Sequence, residues 1–214
     1  MDKLNINAFE FNMLYSVYSF PNIILPLFGG YLIDYIGIRF SIILFSTLLT
    51  AGQAIFAIGC SAGNYPIAIL GRFVFGLGGE SLNVGQSTVV VNWFRGQELA
   101  MALGANVGVS RIGSVLNDFT EPQMYEATGS IDFGLWVGFG ICVGALICGI
   151  VLVSLDKRAD ILMGIKGKAT LDPSERVKLS DVKYFDRLYW LITINCCVVY
   201  ICVLTFNNIA SGFF

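Results

Sequence analysis

The sequence predicts an all-α polytopic membrane protein, and three observations carry that reading. The chain is 56% hydrophobic and only 13% charged, about half the charge of soluble domains, with a mean hydropathy of +0.73. Its apolar residues gather into stretches of about 20 residues or more, the length needed to cross a hydrocarbon core of about 30 Å. They do not alternate, so helices are the expected spans, because a backbone facing lipid must satisfy its own hydrogen bonds.

Six crossings are expected, at 11–33, 40–60, 65–94, 97–117, 131–155 and 189–210. A short polar loop around Asp34 to Arg39 ends the first. The third stops at Trp93, Phe94, Arg95 and Gly96. The fourth leads into a break at 118–132 that carries Asp118, Glu121, Glu126 and Asp132 and no cation. The fifth runs into a long polar segment, 156–188, and the sixth opens with Tyr189 and Trp190. With breaks alternating between the two sides, one side collects Arg39, Arg95 and every cation from Lys157 to Arg187, while the other holds Lys3. The cation-rich side is cytoplasmic by the positive-inside tendency, which puts the N-terminus and C-terminus of the chain on the lumenal side. Aromatic anchors Trp93, Phe94, Tyr189 and Trp190 fall at the cytoplasmic ends of their spans.

Two opposite charges interrupt the apolar sequence. Glu80 and Arg111 lie at equal distances from the break at Arg95 and Gly96, roughly 15 residues or about 23 Å of helix away, which places both near the bilayer interior. An ionised side chain there costs at least several kcal/mol unless it meets water or a partner, so both are expected to face the inside of the bundle. Helical spacing aligns Gly76, Glu80, Asn83 and Ser87 on one stripe, and Gly104, Gly108, Arg111 and Ser114 on another. A guanidinium fork grips a carboxylate and a carboxylate holds an ammonium, so the pair suits the two ends of a zwitterion. A direct ion pair locking the two helices is the plainer alternative.

Other chemistry is excluded or unsupported. The chain has no histidine, and Glu80 is the one carboxylate deep within a span, Glu98 and Asp132 lying at span edges, which leaves no basis for a metal site, a cofactor or an enzymatic triad. Cys60, Cys142, Cys148, Cys196, Cys197 and Cys202 fall in or beside apolar spans and read as small buried hydrophobes. The GLGG string at 76–79 lacks the following lysine and the strand context of a phosphate loop. The net charge of −2 says little about partners, and no nucleic-acid partner is expected. The N-terminus has no cationic start and apolar core of a cleavable signal. Glycine pairs Gly104 with Gly108 and Gly140 with Gly144, together with Gly76, Gly78 and Gly79, are expected to be helix contact surfaces.

The string GYLIDYIGIR from Gly30 to Arg39 resembles the signature between helices 2 and 3 of the major facilitator superfamily, with Gly30, Asp34, Gly37 and Arg39 in register and Tyr35 where that family usually has a cation. GRFVFGLGG from Gly71 to Gly79 is similar to the superfamily's helix 4 signature, and WFRG, SRIGS and KLSDVKYF extend the likeness over nearly the whole chain, closest to the branch of lysosomal dipeptide carriers. The fifth-helix stretch lacks the proline of the antiporter signature.

The resemblance implies a partial major facilitator fold, about six of twelve helices, matching helices 2 to 7 of a larger carrier. It implies an N-terminal bundle at 1–155, a cytoplasmic linker with a short amphipathic helix at 156–188, and the first helix of a C-terminal bundle at 189–214. Glu80 and Arg111, with Asn83 and Ser114, are the implied binding residues for a dipeptide or similar zwitterion. Gly30, Asp34, Gly37 and Arg39 are the implied conformational switch, and Arg72 is implied to be a structural hub. The expected activity is facilitated uniport of dipeptides by alternating access in a lysosomal membrane. A carrier of another small organic anion, or a non-transporting scaffold subunit, are the competing classes. The chain has no glycosylation sequon, so a glycosylated accessory membrane subunit is an expected partner beside the lipid bilayer.

Overall fold

Gly37 reverses the chain between the first two helices with a single residue. The computed structural model describes residues 7–162 and 186–210, with side chains except at 8, 22–24, 26–28 and 204–210. Among these residues there are six helices: α1 (Ala8–Ile36), α2 (Ile38–Ser61), α3 (Tyr65–Trp93), α4 (Gln97–Thr128), α5 (Ile131–Leu162) and α6 (Arg187–Ala210). Four of them, α2 to α5, are long and apolar enough to cross a membrane, and α6 has an apolar stretch at Arg187–Val203. At 29 residues, α1 is also long enough to span a bilayer.

The turns follow from local chemistry. Gly37 has φ +94°, a conformation that side chains rarely adopt, and its N–H donates to the Ile33 carbonyl at 2.9 Å. Its own carbonyl then accepts from the backbone N–H and the hydroxyl of Ser41, which starts α2. Asn64 caps α3 by accepting from the Ile67 N–H, with Pro66 in the first turn. Gly96 at φ +62° makes the expected break between α3 and α4, and Gly129 ends α4 in the left-handed region.

Helix α4 corrects one expectation. The acidic stretch read as a loop from 118 is helical to Thr128, with Pro122 inside it. Acidic residues report departure from the apolar layer, but Asp and Glu cost little in a helix, so they do not end it. Likewise α5 continues to Leu162, beyond the apolar span that ends at 155. The segment from 180 to 189, whose Val182, Phe185 and Tyr189 are expected to share a helical face, lies largely outside the described residues.

The chain divides into two compact units, one holding α1 to α5 and the other α6. In the first unit α2 is central and packs on α3 and α5. Its contact with α3 is a glycine seam in which the antiparallel helices alternate large against absent side chains. A Cβ at Gly59 would stand 2.5 Å from the Ala68 nitrogen, and one at Gly78 would stand 2.7 Å from the Phe45 carbonyl. Gly71 abuts the Phe56 backbone and Gly52 abuts that of Phe75 in the same way. The glycines recur every seventh residue, at 52 and 59 on α2 and at 71, 78 and 85 on α3, which is the spacing of a left-handed antiparallel pair in close approach.

The α2 to α5 contact is polar instead. Thr50 donates to the Cys142 carbonyl at 3.2 Å, Gln53 Nε2 donates to the Leu135 carbonyl at 3.3 Å, and Ser46 faces Gly149. Helix α1 lies beside α3, with Tyr65 donating to the Glu10 carbonyl at 2.8 Å and Gly76 against the Tyr18 carbonyl. A small core of Leu14, Phe56, Cys60 and Ala68 fills the end of this unit where α2 and α3 connect.

The other glycine expectations fare differently. Gly76, Gly78 and Gly79 all meet neighbouring helices, but Gly104, Gly108, Gly140 and Gly144 have no atom within 4 Å of an added Cβ. Neither α4 nor α5 has a buried residue. Among the cysteines Cys60 is buried, while Cys148, Cys196, Cys197 and Cys202 are exposed rather than buried hydrophobes as expected. Apolar spans place residues in the membrane layer without saying which face meets protein.

Replacing Gly78 with Val should cost about 1–3 kcal/mol of stability through overpacking against the α2 backbone. Gly134→Ala, where nothing lies within 4 Å, should leave thermal unfolding in detergent unchanged.

Candidate functional site

The seam with α2 sets which way the polar side of α3 faces. Gly78 and Glu80 are two residues apart, about 200° around a helix, so Glu80 lies nearly opposite the glycines that contact α2. Glu80 is half-buried, and among the described residues it has no hydrogen-bonding or ion-pair partner. One turn further along the same stripe, Asn83 and Ser87 line an open cleft of about 330 Å³ with Val84, Thr88 and Val91. All five residues belong to α3, so the cleft is an open groove along that helix rather than an enclosed cavity.

The second half of the expected site is placed but not assembled. Arg111 is exposed on α4, as is Ser114, whose hydroxyl donates within its own helix to the Ser110 carbonyl at 3.5 Å. Helix α4 meets α3 only sparsely, so Glu80 and Arg111 are not brought together and form no ion pair within 4.0 Å. The direct lock between the two helices is therefore absent from this structure. Both charges stay available.

Sequence reasoning missed a charge network at the end of the bundle that holds the α1 to α2 turn. Arg39, an implied switch residue, has its side chain 22% exposed and folds against α5. Its Nε donates to Asp156 at 2.6 Å, and its Nη2 donates to Asp160 and to the Asp156 carbonyl. The indole N–H of Trp93 donates to the other oxygen of Asp156 at 2.9 Å. Three helices thus meet on one carboxylate. Asp156 and Asp160 are four residues apart, one helical turn, and that spacing was the signal in the sequence. Of the remaining switch residues, Asp34 is half-buried on α1 with an interaction of its own, Gly30 has open space beside it, and Gly37 makes the one-residue turn.

Arg72, the expected hub, sits at the opposite end of α3. Its guanidinium carbon lies 4.0 Å from the centroid of the Phe56 ring, a cation–π contact between α3 and α2. No group of three or more metal-ligating side chains occurs among the described residues.

Long antiparallel helices, the Gly37 turn and the glycine seam coincide with the family signatures, and the sequence profile of the Major Facilitator Superfamily matches residues 1–213. The chain belongs to the Major Facilitator Superfamily. Membership places it among membrane carriers rather than enzymes. It is 39% identical over 225 residues to the lysosomal dipeptide transporter MFSD1 of Danio rerio, covering 100% of this chain and 48% of that protein. The Homo sapiens protein of the same name is 39% identical over 222 residues, 99% of this chain and 47% of the relative. That of Gallus gallus is 37% identical over 182 residues, 80% of this chain and 40% of the relative. The chain spans about half the length of the curated relatives it matches.

The Arg39 network yields a direct test. Asp156→Asn should destabilise the bundle by about 1–3 kcal/mol, because it weakens the charged acceptor shared by Arg39 and Trp93. Arg39→Lys should not preserve stability, since an ammonium cannot reproduce the fork. Thermal unfolding of the single and double variants should show coupling between positions 39 and 156.

Proposed function

We propose that this chain contributes to an alternating-access carrier that moves dipeptides across a lysosomal membrane by facilitated uniport. The observation that carries the reading is the polar stripe of α3: a half-buried carboxylate deep in a membrane span, unpaired among the described residues, with Asn83 and Ser87 lining the cleft beside it. A charge in that position calls for a partner of opposite sign, and the ammonium of a peptide supplies one. Arg111 on the neighbouring helix supplies the carboxylate grip, assisted by Ser114, once α4 approaches α3. Asn83 offers a neutral amide for the peptide bond between them.

The relatives named above are lysosomal dipeptide transporters, which supports the same substrate class, and the superfamily supports the mechanism. In this reading the chain's ends face the lumen and the Arg39 network faces the cytoplasm, in keeping with the excess of cations on that side. Gly30, Asp34, Gly37 and Arg39 act as the conformational switch. Asp34 interacts with a helix of the other half of the carrier in one state and loses that interaction in the other. With no histidine in the chain and no carboxylate besides Glu80 deep within a span, the sequence supports uncoupled movement. A glycosylated accessory subunit shields the lumenal loops, which have no sequon of their own.

In purified full-length protein, Glu80→Gln and Arg111→Ala should each weaken dipeptide binding by about tenfold or more, a loss of about 1.4 kcal/mol. An N-acetylated dipeptide should bind poorly to the parent protein. Binding that is indifferent to both substitutions would leave a scaffold role instead. Asp34→Asn should shift the proportion of inward-open and outward-open forms, read by accessibility of labelled sites on the two sides; unchanged proportions would remove Asp34 from the switch.

A further inference from the structure

Arg72 is the one cation in α3, and it stands eight residues, about 12 Å of rise, from Glu80 toward the N-terminal end of the helix. The ring of Phe56 occupies one face of its guanidinium at 4.0 Å, but the N–H edge has no carboxylate within 4.0 Å among the described residues. A partly buried guanidinium in a membrane span calls for such a partner.

The hairpin geometry supplies one. The α3 to α4 hairpin turns at Arg95 and Gly96, so Glu80 and Arg111 fall at matching depth, each 15 residues from the turn. By the same count Arg72 lies 23 residues before Arg95, and Glu121 lies 25 residues after Gly96. From Glu80 to Arg72 the helix turns by about 80°, and from Arg111 to Glu121 by about 80°. On two antiparallel helices facing each other, these rotations move both side chains to the same flank. A single closure of α4 onto α3 therefore brings both pairs into register, with their signs reversed: an anion of α3 opposite a cation of α4 at the centre, and a cation of α3 opposite an anion of α4 at the end. Glu121 is exposed and makes no ion pair within 4.0 Å among the described residues, but it already lies within electrostatic range of Arg72, with Tyr15, Tyr18 and Cys60.

We infer that Arg72 and Glu121 form an ionic clamp between α3 and α4 that closes independently of substrate and sets the spacing at which Glu80 and Arg111 receive a peptide. Both are positioning residues. The clamp answers what the central pair leaves open: α4 needs a contact with α3 that is not consumed by binding, because Glu80 and Arg111 must stay apart to admit a guest. The consequence for binding rests on the reading of Glu80 and Arg111 as a peptide site, but the clamp itself does not.

The test uses full-length protein in a background with the native cysteines replaced, spin-labelled at the exposed positions Leu70 and Tyr125. Without substrate, Glu121→Gln should widen the distance between the labels, and Arg72→Gln should do the same. The exchange variant, Arg72→Glu with Glu121→Arg, should return the distance to that of the parent. Dipeptide binding should fall by about tenfold in Glu121→Gln and recover largely in the exchange variant. A label distance unchanged by Glu121→Gln, or an exchange variant no better than the worse single variant, would overturn the clamp. A parent protein that binds no dipeptide would defeat the proposed substrate class while the distance measurement still decided the clamp.

Discussion

The close approach of α2 and α3 is the constraint on which the rest of this structure depends. Lipid offers no hydrophobic drive to join two apolar helices, so their association rests on van der Waals contact and on backbones that come near enough to make it. Gly52 and Gly59 on one helix, with Gly71, Gly78 and Gly85 on the other, remove the side chains that would hold the axes apart. Phe56 and Phe75 fill the space opposite them. Because the contact repeats every seven residues, it fixes rotation as well as distance.

That rotation decides the chemistry. With the glycine face of α3 committed to α2, Glu80, Asn83 and Ser87 have to point elsewhere, and Asn83 and Ser87 line the open cleft while Gly76 meets α1. Helix α2 meanwhile holds α5 through Thr50 and Gln53, which donate to backbone carbonyls, and through Arg39 at the far end. One helix thus ties together its two neighbours by two unlike interactions, and α4 is left comparatively free.

The charges divide in a parallel way. Arg39 is matched to Asp156 and Asp160, and Trp93 completes the hydrogen bonding of Asp156. Glu80 and Arg111, deeper in the spans, have no such partners among the described residues. A matched network stabilises one arrangement of helices; unmatched charges in a low-dielectric layer favour whichever arrangement or ligand neutralises them. The first kind sits where the bundle is held.

Much of this was legible in the sequence. Span length and apolarity gave α2 to α5, the glycines at 37 and 96 marked turns that need positive φ, and equal spacing from Arg95 and Gly96 put Glu80 and Arg111 at one depth. These are local or one-dimensional properties: helix rise, backbone sterics and transfer cost follow from residue type and position along the chain. Contact between particular faces does not. The pairing of Arg39 with Asp156 and Asp160 joins residues more than a hundred positions apart, and only the packing of α2 on α5 reveals it. The open surroundings of Gly104 and Gly140, against the filled ones of Gly52 and Gly78, were equally hidden, because a small residue permits close approach without selecting a partner. Nor could depth alone say whether Glu80 and Arg111 touch: equal distance from a turn sets height in the membrane, while the angle between two helices is set by everything else packed against them.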